Sequence, residues 1–123
     1  MEEIILHLVK CQVQFRFLHW QTMGDAQHRA LGELYESFDD KLDGFVETMI
    51  GKAGMRPVFG PEFSLSLNDI SSVSIMGYMD MVVNYLISLS DVFDPRLDSD
   101  LLNMRDELMG LVNHTKYLLT LKF

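Results

Sequence analysis

The sequence is poor in cysteine, proline, basic charge and long apolar runs, and each shortage excludes something. A single cysteine, Cys11, permits no internal disulfide, so the chain is not a disulfide scaffold and a reducing compartment is expected. Of only 3 prolines, Pro57 and Pro61 sit in one Gly-bearing stretch, which leaves long segments elsewhere free to be helical. Lys and Arg number 10 against 18 Asp and Glu, a formal charge of −8. Neutralising phosphates needs a cationic surface, so no specific nucleic-acid partner is expected. No apolar run approaches the ~20 residues of a membrane span, and Glu2 and Glu3 stand where a secretory leader would carry basic and then apolar residues. The expectation is a soluble cytoplasmic protein with no membrane partner. Gly-rich phosphate loops, Cys/His zinc spacings, internal repeats and low-complexity tracts are all missing.

What is present is amphipathic helix. At 123 residues the chain reads as one domain, 1–123. Its 48% hydrophobic content and mean hydropathy of +0.09 are high for a lone small bundle, which favours burial between subunits. A first helix is expected from Glu2 to about Thr22. Ile5, Leu8, Gln12, Phe15 and His19 form one stripe, and Val9, Val13, Phe17 and Trp20 form a second about 100° round from it. So wide an arc calls for neighbours on two sides, with His7, Lys10, Gln14 and Gln21 left on a narrow polar face and Arg16 snorkelling between the stripes.

The second helix is expected from about Asp25, its N-cap, to about Ile50, with Gly51 as its stop and Leu31, Tyr35, Phe38, Leu42, Phe45 and Met49 as its buried stripe. Residues 51–72 read as a connector broken by Gly51, Gly54, Pro57, Gly60 and Pro61, yet apolar enough to pack along the bundle. A third helix, from about Ser72 to Phe93, ends before Asp94-Pro95, and a fourth starts near Asp98 to Asp100.

The chemistry concentrates between Phe17 and Lys52. His19 and His28 flank a short Gly-bearing turn, and Asp43 and Glu47 share one face of the second helix at i and i+4. A lone histidine on an apolar face is ordinarily a hydrogen-bonded core residue, and an acidic i, i+4 pair is ordinarily a solvated face. The combination points to a metal. Glu47 lies nineteen positions beyond His28, roughly 28 Å at ~1.5 Å per residue, so one chain cannot close the site. A twofold axis across the middle of the second helix would bring the histidines of one subunit to the carboxylates of another.

His19, Trp20 and Gly24 as HWxxxG, then His28, fourteen residues to Asp43 and three more to Glu47, resemble the ferroxidase signature of Dps, the miniferritins first described as DNA-binding proteins from starved cells. The likeness is tight over residues 17–50; the interval between the histidines is three residues shorter here than is usual in that family. The compact form also resembles small proteins of tailed phages and of gut or marine bacteria.

The resemblance implies an all-α, ferritin-like four-helix bundle with one long crossover between helices two and three. It implies a di-iron site whose ligands and catalytic residues are His19, His28, Asp43 and Glu47, with Glu47 as the bridge. It also implies a homo-oligomer, at least a twofold dimer and up to a dodecamer, that oxidises Fe(II) for storage or detoxification. Imidazole nitrogen and carboxylate oxygen suit Fe(II). Gln12, Tyr35 and Asp39 are candidate supporting groups by spacing, and Trp20 reads better as an interface residue than as a radical scavenger. His7 and His114 read as structural or solvent-facing, and the 9 Met residues as core filling. The alternative is a non-catalytic structural or interaction module, phage-encoded and with a vestigial site, which would place it in the host cytoplasm.

Overall fold

The computed structural model describes residues 1–121, and these are helical or irregular with no strand among them. Four long helices, α1 (Glu2–Gln21), α2 (Asp25–Ala53), α3 (Ile75–Ser88) and α4 (Ser99–Leu118), pack around one core, with short 3-10 turns at Ile70–Ser72 and Leu89–Asp91. The stripes that define the helices in sequence are the stripes that are buried. Leu8, Phe15 and Leu18 of α1 meet Leu31, Phe38 and Phe45 of α2, all fully enclosed. Met79, Leu86 and Leu89 close the core from the third element, and Leu108 and Val112 from the fourth. The ring of Phe15 lies edge-on to Phe38 at 5.3 Å and to Tyr78 at 6.0 Å, so one side chain knits three helices together. Each such enclosed ring stabilises the fold by about 1.5–3 kcal/mol relative to exposure.

Several boundaries differ from the sequence reading, each for a local reason. Gly24, not Asp25, is the N-cap of α2, and Asp25 becomes the first helical residue, where its charge pairs with Arg29 at 3.1 Å. Gly51 does not stop that helix. It runs on to Ala53 and ends at Gly54, whose φ of 70° only glycine adopts without strain. The third α-helix is shorter than expected. Ser74 caps its start by accepting from the Gly77 N–H, and it passes at Leu89 into a 3-10 turn well before Pro95.

The connector, residues 55–74, runs back along α1. The N–H of Val58 donates to Glu2 at the first turn of that helix, Asn68 bonds to Gln14 in its middle, and Ile70 bonds to Gln21 at its last turn. The third helix therefore starts where the first finishes and descends antiparallel to it, with His7 stacked on Tyr85 at 3.6 Å. The fourth starts beside the end of the second, where Lys52 meets Asp100 at 3.1 Å and Asp98 at 3.6 Å, and rises antiparallel to it. The order is up, down, down, up, with the crossover between α2 and α3.

Gln14 overturns the expectation of a solvated polar face on α1. It is fully buried, its Oε1 accepting from the Asn68 N–H at 2.7 Å and its Nε2 donating to the Asn68 carbonyl at 2.9 Å. One amide side chain thus satisfies both backbone groups of a residue that has no strand neighbour. Arg105 does comparable work on α4. Its Nη1 donates to the Leu86 carbonyl in the last turn of α3 and to Ser90 Oγ in the 3-10 turn that follows. No described helix is long and apolar enough to cross a membrane.

Candidate metal centre

The turn from Gln21 to Asp25 is tight because only Thr22, Met23 and Gly24 separate the two helices. It brings His19, in the last turn of α1, against His28, in the first turn of α2. The rings stack with centroids 3.8 Å apart and planes 17° from parallel. Each ring also reaches the other residue's backbone. His19 Nδ1 lies 2.5 Å from the His28 carbonyl oxygen, and His28 Nδ1 lies 2.9 Å from the His19 carbonyl oxygen.

That reciprocity fixes the tautomer. A carbonyl oxygen only accepts, so both Nδ1 atoms carry the proton and donate it, and in the neutral rings both Nε2 lone pairs are left unshared among the described residues. A metal-ligating histidine usually has this arrangement, one nitrogen tied to a carbonyl and the other offered to the ion. The short interval between the two histidines does not prevent them from pairing.

The sequence reading passed over the residue that makes room for the pair. A Cβ on Gly32, one helical turn beyond His28, would stand 2.8 Å from His19 Cε1 and 3.1 Å from His19 Nδ1. Only glycine lets the imidazole lie this close to the helix backbone. The legible signal was position: Gly32 follows His28 at i+4 in a helix interior, where glycine is otherwise unfavourable. Tyr35 stands edge-on to His19 at 5.4 Å, and the Arg16 guanidinium lies over the Tyr35 ring at 4.7 Å. Of the other supporting candidates, Gln12 is buried and Asp39 is exposed, and among the described residues neither hydrogen-bonds to a histidine.

Asp43 and Glu47 lie far along the same unbroken helix, both exposed. Among the described residues no three histidine, cysteine or acidic side chains of one chain gather into a metal-sized group. The chain thus brings His19 and His28 together and leaves Asp43 and Glu47 at a distance set by helix rise. His28 itself is exposed rather than on the buried stripe. Next to the pair, Trp20 is 62% and Met23 fully exposed, and Phe17 stacks obliquely on Trp20 at 5.5 Å, so aromatic surface borders the histidines.

Residues 19–119 match the model of a family described as a family of unknown function, DUF5856. The chain belongs to that family. The DUF5856 match starts at His19 and takes in the stacked pair, all of α2, the crossover and the second hairpin. A relative in Enterobacteria phage T4, an uncharacterized 14.6 kDa protein in the mobD-ri intergenic region, is 24% identical over 123 residues, covering 98% of this chain and 88% of the relative. No solved structure matches the chain.

A second cluster of titratable groups lies between α1 and α3 and is held neutral. Burial pushes the Cys11 thiol up to about 11 and moves the neighbouring Tyr78 hydroxyl far above its ordinary value. Burial, aided by Lys10, holds His7 below the usual histidine range. A thiol so held is a poor nucleophile at neutral pH, and this cluster is a packing element rather than a reactive one.

Proposed function

We propose that the chain is a Dps-like, ferritin-like protein that binds and oxidises Fe(II) at a site shared across a twofold subunit interface. The observation that carries this reading is the reciprocal tie between His19 and His28, which among the described residues leaves two Nε2 lone pairs unshared beside an exposed aromatic surface. The donor set fits the substrate. Two imidazole nitrogens from one subunit and the carboxylates of Asp43 and Glu47 from the other offer Fe(II) the mixed nitrogen and oxygen ligation it favours. Neither carboxylate is engaged in an ion pair within the described residues. Two Fe(II) bound together supply the two electrons that reduce one peroxide, or one O₂ to peroxide. The residues hold the nitrogens in the correct tautomer and bring negative charge to the product Fe(III). The up, down, down, up order with its single long crossover supports this reading, since ferritin-like bundles carry one such connection. Exposed Phe17, Trp20 and Met23 are the surface on which a second copy is expected to sit.

A second reading, a phage-encoded structural or interaction module, draws on the phage T4 relative and on the fact that the histidine interlock would also staple a turn in the absence of metal. Complementation separates the two. One variant carries His19→Ala and His28→Ala, and the other carries Asp43→Ala and Glu47→Ala. Each alone fails to oxidise Fe(II). Co-expressed and purified as mixed dimers, they regain about half the wild-type rate per subunit, because one of the two sites is whole and the sites are taken as independent. Folded but inert mixed dimers, with an active wild type, would refute sharing across the axis. An inert wild type would leave the structural reading.

A further inference from the structure

We infer that self-association of this chain is gated by divalent metal: the two copies repel until ions bound at the shared sites offset the charge that meets at the axis. The inference rests on the shared-site reading above and adds a regulatory property to it. Its basis is what the outer face of α2 carries between the two halves of the site.

An axis that sets residue 28 of one copy opposite 43 and 47 of the other crosses α2 near residues 36 and 37, because an isologous contact maps each position onto its mirror in the sequence. Counting ~100° per residue, Asp43 and Glu47 lie about 60° and 100° round from His28, and Asp39 and Glu36 lie within that same arc, at about 20° and 80°. Glu36 therefore comes against its own copy, and Asp39 comes close to the partner's Glu36. Glu36, Asp39, Asp40, Asp43 and Glu47 are all exposed, and none makes an ion pair among the described residues. Two cations border this face, and neither pairs with these five acids. Arg16 lies over the Tyr35 ring, and Arg29 is held by Asp25 at 3.1 Å.

Like charges placed opposite one another across an interface oppose association and select against it. The same geometry that completes each site thus concentrates carboxylates at its centre. Dications bound at the two symmetry-related sites, on either side of the axis, reverse the balance. By mass action, two equivalent sites raise the dimerisation constant roughly a hundredfold at metal ten times the site's dissociation constant, when the separate chains bind it weakly.

The test is sedimentation velocity on full-length chain at micromolar concentration, after chelator treatment and again with Co(II), an oxygen-stable probe whose visible spectrum also reports ligation. The chelated protein is expected to be mainly monomeric and the Co(II) protein mainly dimeric. The His19→Ala/His28→Ala variant should lose the Co(II) response, and a Glu36→Gln/Asp39→Asn variant should dimerise without metal. Chelated wild type that dimerises as tightly as the Co(II) form would overturn the gating while leaving the shared site to the complementation result. Co(II)-driven dimerisation that survives loss of both histidines would also overturn it, because the ions would then act elsewhere. A chain monomeric under every condition would remove both the gating and the shared site.

Discussion

Replacing Gly32 with alanine is the sharpest perturbation of the histidine pair, because it adds one methyl group and no charge. The added Cβ would sit 2.8 Å from His19 Cε1, about 0.7 Å short of an ordinary carbon contact of at least ~3.5 Å. His19 has little room to yield, being stacked on His28 at 3.8 Å and bonded to its carbonyl. Overpacking of this kind costs about 1–3 kcal/mol, and loss of the Nδ1–H bond adds about 1 kcal/mol. The gain in helix propensity offsets about 1 kcal/mol. The net is a loss of about 1–3 kcal/mol. Gly110→Ala in α4 is the control, since a Cβ there meets nothing within 4 Å and only the propensity gain remains. The two variants should differ by about 2–4 kcal/mol, or roughly 10–15 °C in Tm. Thermal unfolding measures the gap, and long-range nitrogen–proton correlation spectra of the imidazoles identify its cause: wild type shows two Nδ1-protonated rings, and Gly32→Ala loses that signature at His19. If Gly32→Ala is as stabilising as Gly110→Ala and both tautomers persist, the close approach of ring to helix is not what holds the pair.

Gln14→Ala should destabilise the chain by about 2 kcal/mol in urea unfolding, because two hydrogen bonds to Asn68 vanish and its backbone groups lose their protein partner. A loss below ~0.5 kcal/mol, the usual surface value, would mean that water replaces the amide without cost. His7 sets a pH dependence whose sign follows from its lowered folded value: its neutral-state contribution is complete above the unfolded value near 6.5 and fades as pH falls below it. His7→Phe, which keeps a ring on Tyr85, should flatten the stability profile between pH 7 and about 5 in chemical denaturation; an unchanged slope there would count against the assignment. The lowered carboxyls of Asp69, Asp94 and Asp100 act in a separate window, losing their contribution only as pH drops below ~4.

The helices were legible because their stripes are strong: Leu31, Phe38, Leu42, Phe45 and Met49 recur at helical spacing, and all are buried. Their ends were harder to place. Gly51 and Gly54 are chemically the same stop signal, and only the backbone conformation at Gly54 tells which is used. The closeness of His19 and His28 followed from a short turn, as did the separation of His28 from Glu47 from helix rise. What could not be read was which polar side chains are tied to distant backbone. Gln14 and Arg105 look like solvent-facing residues in sequence, and their partners Asn68 and Leu86 stand 54 and 19 residues away. Gly32 was hidden for the opposite reason, since a missing side chain shows its purpose only when the neighbouring ring is in place.

The fastening of the crossover by Gln14 and Gln21 also separates timescales within the native state. The Asn68 amide hydrogen is locked to a fully enclosed side chain, whereas residues 60–64 make no hydrogen bond back to α1 among the described residues. Amide exchange with deuterium should therefore be punctuated along a segment that holds no α-helix: slow at Asn68 and Ile70, fast between Gly60 and Ser64. The crossover can then release its middle as a loose loop while its far end stays moored, so the third helix keeps its place on the first even when the strap above it opens.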